Sequence, residues 1–317
     1  MNKIPFYKER KFGEKFDAVF SFMKQNWRYM IKYVLYGALP LSLVAALSMD
    51  KLFSNALEME TAQTDIPGAM FFVNYGFLVL VSIFAALWIG SLMFSYIQLY
   101  NERGNGLEGS TFEDVIPYLK RNAWRMVKCS LVLILLSLVV LGIIIGGFVI
   151  NVWGLSLLLI VLALIIFIPV LMFMPTYVFE DISVWRALTR GIWLGWNTWG
   201  GIFALGFVLS LIANVVSVVF VMPWEICIVA KTIFGTEDMA NPVANSVLFS
   251  LVQYVFGVVM WVGQLVVSTL YFVSISYLYS HAAEKLDDMS VAKGIDDFEE
   301  MSDDSQGDDD LFKTPEI

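Results

Sequence analysis

His281 is the only histidine in the chain, so it is the only imidazole open to acid–base or metal chemistry. One imidazole cannot build a multi-histidine metal centre, which excludes iron-oxygenase chemistry resting on several histidine ligands. As a general base it would need a positioned partner, and Glu284, three residues on, is within reach along a helix. The plainer reading, a histidine that closes a membrane span at the interface, carries more weight. No Walker A, Gly-x-Ser-x-Gly or His-Glu-x-x-His pattern occurs. The string EGSTFE at 108–113 reads as a turn and helix cap, with Ser110 and Glu113 as a capping box and no lysine to hold a phosphate. Cys129 and Cys227, the only cysteines, fall at opposite ends of different apolar blocks, so neither a disulfide nor a paired metal site is expected. Glu225, in MPWEICIVA, is the acid closest to apolar sequence. An intramembrane carboxylate is a functional candidate by default. Pro223 and Trp224 instead mark a span boundary there, with the apolar run 226–230 lying along the outer surface. No catalytic constellation emerges, and no enzyme activity, cofactor or metal is expected.

Small and polar residues form a clearer pattern. Ser246, Ser250, Gln253, Gly257, Gln264 and Ser268 recur at helical spacing near the C-terminal end, and Gly206, Ser210, Asn214 and Ser217 do so upstream. Within them Ser210, Asn214, Ser217, Gln253, Gln264 and Ser268 make a candidate polar stripe. Such stripes pack helices closely through interhelical hydrogen bonds, or line a polar pathway; packing is the preferred reading.

These residues must be positioned by elements in a bilayer. Of 317 residues, 58% are hydrophobic and 15% charged, against about 25% charged in a soluble domain. The mean hydropathy is +0.72. The apolar residues form six blocks, at 33–49, 71–97, 129–150, 155–178, 202–221 and 247–279, nearly free of charge. A charge at the centre of a spanning helix costs about 2.5–3.5 kcal/mol, so such blocks read as transmembrane helices. Gly146, Gly147, Asn151 and Gly154 supply a tight turn between the third and fourth. More than thirty charged and aromatic-rich residues precede the first block, unlike a cleavable signal.

Lys and Arg set the orientation. Eight stand before the first block, five follow the second, and Arg186 and Arg190 follow the fourth; the opposite connections hold only Lys51 and Lys231. Both termini are therefore expected in the cytoplasm, with the protein in the cytoplasmic membrane. Residues 1–32 form an N-terminal cytoplasmic segment, 33–283 the six-span domain and 284–317 a tail. The tail sets thirteen acids against three lysines, which accounts for the net charge of −9. It is expected to be disordered, as a solvated tail or a docking segment for a basic partner.

Two stretches nearly repeat: FDAVFSFMKQNWRYM at 16–30 and FEDVIPYLKRNAWRM at 112–126. At an offset of 96, Phe16 meets Phe112, Asp17 meets Glu113, Val19 meets Val115, Lys24 meets Lys120 and Asn26 meets Asn122. Their apolar positions follow i, i+3, i+4, i+7, the rhythm of an amphipathic helix. Pro117 suits a helix that starts near it. A looser copy at 181–201 contains Asn197 and Trp199. The expectation is three units, each an amphipathic helix lying along the cytoplasmic interface followed by a pair of spans. Trp27, Trp124 and Trp199 would anchor them among the headgroups. Repeat ancestry and convergent amphipathic linkers both account for the pattern.

The run Pro175-Thr-Tyr-Val-Phe-Glu180, with Ala187-Leu188, Asn197 and Trp199, resembles a pattern in bacterial six-span proteins grouped around the membrane domain of glycerophosphoryl diester phosphodiesterases. The resemblance implies membrane placement and carries no catalytic residue across, since the phosphodiesterase barrel of that group has no βα counterpart in this chain. The fold expected is thus all-α with six transmembrane helices. The role expected is a non-enzymatic membrane factor that binds membrane lipids or partner membrane proteins, and no nucleic acid. A small-solute transporter or channel subunit is the alternative.

Overall fold

The computed structural model describes residues 3–61, 68–234, 246–289 and 291. Among them lie α1 (Phe12–Thr61), α2 (Ala69–Glu102), α3 (Phe112–Val149), α4 (Trp153–Val170), α5 (Phe173–Phe179), α6 (Val184–Asn197), α7 (Trp199–Phe234) and α8 (Val247–Asp287), with no strand. Six stretches are long and apolar enough to cross a membrane: those of α1, α2, α3, α4 together with α5, α7 and α8. Their outward faces carry residues such as Leu135, Leu138, Val139, Leu164, Phe167, Val215 and Val219, each more than half exposed. Water would oppose such a surface, and acyl chains cover it at no cost. The chain is a multi-pass, all-α membrane protein.

Burial is uneven along the bundle. In α2 every residue from Ile89 to Tyr100 is buried, and in α8 every residue from Phe272 to Ala283. A helix buried all round over three turns is enclosed by other helices. α1 and α2 pack on α8 and on each other, while α3, α5 and α6 close the ring at the same end. Phe22, Phe94, Tyr96, Tyr277 and Tyr279 fill this core. The midsections of α3 and α4 are almost bare.

The amphipathic copies differ from expectation in one respect. Residues 16–30 belong to α1, which runs without a break into the first span; residues 112–126 likewise begin α3. They are stems of their spans, not separate helices lying flat. Neither Gly nor Pro separates stem from span at 31–35, and both patterns share the 3.6-residue period, so the helix continues through the junction; Pro40, further along, gives up one ladder hydrogen bond without ending α1. At a rise of 1.5 Å per residue the 50 residues of α1 extend about 75 Å, far beyond the ~30 Å apolar layer. Only the third copy is a helix of its own, α6, broken from α7 at Thr198. The burial registers of the first two copies agree: Val19 and Val115, Asn26 and Asn122, and Met30 and Met126 are buried, whereas Lys24 and Lys120 are exposed.

Other boundaries move for local reasons. The capping box at the start of α3 is Thr111 with Asp114, one residue later than Ser110 with Glu113, and α3 runs through Pro117. Pro117 is the sixth residue of α3, just past the turn whose N–H groups are unpaired, and gives up the single bond its N–H would have made to the Glu113 carbonyl. The fourth block breaks at Leu171–Met172, between Pro169 and Pro175, into α4 and α5. The turn between α3 and α4 places Asn151 at φ 60, a left-handed position that Asn tolerates. α7 passes through Pro223, so 226–230 continues the helix and does not lie along the surface. α8 continues to Asp287, which takes the first residues of the presumed tail into the fold; residues 292–317, with the expected disorder, lie outside the described residues.

Candidate functional site

Two polar arrangements stand out, one at the packed end and one between α7 and α8. The first begins at the C-terminal end of α5, whose last carbonyls need partners. Arg125 of α3 donates from Nη1 to the carbonyls of Tyr177 at 3.1 Å and Val178 at 3.0 Å, and from Nη2 to the Asp181 carboxylate. Gln98 of α2 donates to the Val178 carbonyl at 3.0 Å, and its own Oε1 accepts from Asn122 of α3 at 2.7 Å. Hydrogen bonding to Arg125 holds the Asp181 carboxyl below its ordinary range. Glu180, the residue capping α5, accepts from Tyr279 Oη at 2.8 Å and from Arg190 Nε; Arg190 Nη2 reaches Asp287 at 2.8 Å. Burial draws the Arg190 guanidinium down, but Glu180 and Asp287 outweigh it and raise the pKa above its usual value. This network ties α3, α5, α6 and α8 together.

The repeated asparagines therefore do different work. Asn122 links α3 to α2, whereas Asn26 and Asn197 each bond the carbonyl four residues back on their own helix. The tryptophans also differ. Trp27 is 39% exposed and Trp124 63%, while Trp199 is half-buried and donates from Nε1 to the Ile165 carbonyl of α4 at 3.2 Å.

The second arrangement is a cleft of about 500 Å³ between α7 and α8, reaching Ile168 and Leu171 at the end of α4. Ser210, Asn214, Ser217, Gln264 and Ser268 all line it, among apolar neighbours such as Phe203 and Phe207. Ser217 Oγ donates to Gln264 Oε1 at 3.2 Å across the cleft. Asn214 is exposed and bonds the Ser210 carbonyl of its own helix at 2.8 Å, so it does not meet Gln253. Past Ser217 the helices close: a Cβ at Gly263 would lie 2.2 Å from the Phe220 ring. From Ile202 to Ser217 the cleft follows α7 for about 22 Å at 1.5 Å per residue.

Gln253, the sixth stripe residue, sits elsewhere. It is 2% exposed and donates from Nε2 to Asp50 of α1 at 3.0 Å. Asp50 escaped notice in the sequence because it follows the apolar block directly and looks like its boundary. Glu225 is exposed, on a helix that continues past it to Phe234. His281 is buried, its Nδ1 accepting from the Arg10 backbone N–H at 3.0 Å. Cys129 and Cys227 are both free and buried. No group of three or more metal-ligating side chains occurs among the described residues. Comparison with family models, with curated proteins and with solved structures found no match.

Proposed function

We propose that this protein is a non-enzymatic membrane factor that binds a lipid laterally in the cleft between α7 and α8. The observation that carries the reading is the cleft's make-up: an apolar trough about 22 Å long, flanked by exposed apolar residues, with six Ser, Asn and Gln side chains spaced along it. An acyl chain matches the apolar walls, and an ester or glycerol oxygen matches the Gln264 amide, whose Oε1 is taken by Ser217 and whose Nε2 has no partner among the described residues. The Lys and Arg bias supports placing both termini, and the packed end, in the cytoplasm. α6 then lies at the interface: Trp185, Trp193 and Trp196 share one exposed face, opposite the buried Ala187, Gly191 and Gly195. The transporter reading draws on the same polar side chains, which would offer water a foothold partway through the bilayer.

Lipid retention tests the proposal. A Cβ at Gly206, which lines the cleft, would meet nothing within 4 Å, so Gly206→Trp fills the trough without a clash at its root. Wild-type protein extracted in mild detergent is expected to carry phospholipid detectable by native mass spectrometry. Gly206→Trp should lose it at an unchanged Tm. Equal retention in both proteins would contradict the proposal.

A further inference from the structure

We propose that Lys15 and the first turn of α7 form a binding site for a phosphate group, supplied by the headgroup of a phospholipid whose chains occupy the α7/α8 cleft; the lipid assignment rests on the function proposed above. Lys15 is 6% exposed. Among the described residues its ammonium makes no hydrogen bond or ion pair, and Glu9, the acid that acts on it, is exposed and forms no ion pair with it. Its Nζ lies 3.3 Å from where a Cβ of Gly201 would stand, against the opening turn of α7. A buried ammonium without a counter-charge is costly.

The neighbouring groups deepen the anomaly. Arg10 and Lys285 stand with Lys15 around the His281 ring. Arg10 is 5% exposed and its guanidinium is satisfied by the carbonyls of Phe6, Lys8 and Pro5 and by the Tyr277 ring, none of which neutralises it. The N-terminus of α7 adds the positive end of a 36-residue helix. Arg10, Lys15 and Lys285 face two acids here, Glu14 acting on Arg10 and Glu9 on Lys15, and an oxyanion relieves the remaining repulsion while accepting from the ammonium and the helix amides. A tetrahedral phosphate can meet both at once. The place of the site selects the source: Ile202 follows Gly201 directly and Leu278 is three residues before His281, and both line the cleft. A phosphate held by Lys15 would therefore set its ester substituents at the cleft mouth.

The test uses full-length protein in mild detergent, titrated separately with phosphatidylglycerol, with diacylglycerol, which has the chains but no phosphate, and with inorganic phosphate, and read by native mass spectrometry and thermal shift. Phosphatidylglycerol should bind the wild type about tenfold more tightly than diacylglycerol, the scale of one charge-assisted contact. Lys15→Gln should erase that difference without lowering the Tm of lipid-free protein, because the ammonium removed was unpaired. Lys15→Arg should restore it, and Gly201→Leu, whose side chain displaces the ammonium, should abolish it. An unchanged preference in Lys15→Gln and Gly201→Leu would overturn the site. A Lys15-dependent response to inorganic phosphate, with the two lipids binding alike, would uphold the anion site and overturn the headgroup assignment. If Gly206→Trp keeps its lipid, the cleft reading fails on its own, and the phosphate titration still decides the site.

Discussion

Replacing Glu180 with alanine should destabilise the protein by about 3 kcal/mol, the lower end of what breaking a buried ion pair costs, because Arg190 is partly exposed. The Glu180 side chain is 10% exposed and has two partners. Without it, Arg190 keeps only Asp287 among the described residues, and the Tyr279 hydroxyl, on a residue with no exposure, loses its carboxylate acceptor and is left with Tyr7. By the usual scaling for a chain of 317 residues the Tm should fall roughly 4–5 °C. Glu180→Gln keeps an acceptor for Tyr279 but surrenders the charge, so it should fall between. A Tm for Glu180→Ala within a degree of wild type would mean that the network does not hold α5 and α6 to α8.

The second large effect is steric. A Cβ at Gly195 would stand 2.5–2.9 Å from backbone atoms of Pro169, and one at Gly191 2.7–3.0 Å from backbone of Phe173 and Met172. These glycines, four apart on α6, let it press against the α4–α5 break in the manner of close helix pairs in membranes. Backbone cannot move aside as a side-chain tip can. The double variant Gly191→Ala/Gly195→Ala should therefore cost more than about 3 kcal/mol, beyond ordinary overpacking, and lower the yield of monodisperse protein on size exclusion. Gly142→Ala and Gly146→Ala are the controls, since a Cβ at either meets nothing within 4 Å. These should leave Tm unchanged or slightly higher, as Ala favours helix over Gly. If both pairs behaved alike, the close approach of α6 would not matter to the fold.

The six spans were legible because charge-free apolar blocks have few other uses, and the Asn151 turn was legible because Asn and Gly together mark a left-handed position. The stems of α1 and α3 misled because an amphipathic helix and a spanning helix share one period. The pattern records which face is apolar; it does not record where the axis bends. Glu180, Arg190 and Asp287 were unreadable as a unit, since Arg190 and Asp287 are 97 residues apart and only packing joins them. The polar stripe was half legible. Helical spacing grouped five residues that share the cleft, but it could not tell that Gln253, on the same helix as Gln264, turns to Asp50 of α1. Lys15 was one of eight basic residues ahead of the first span, and nothing in its spacing marked it as buried.

What fills the α7/α8 cleft is decided most directly by cysteines placed at 214 and 264, in a chain whose Cys129 and Cys227 are replaced by alanine. In native membranes opened to reagent on both sides, a small hydrophilic thiol reagent should leave both positions unlabelled, and a membrane-soluble maleimide should label them. A cysteine at the exposed Gly104 should react with both reagents. Rapid hydrophilic labelling at 214 and 264, at a rate approaching that at 104, would contradict a lipid-filled cleft and place water along the stripe.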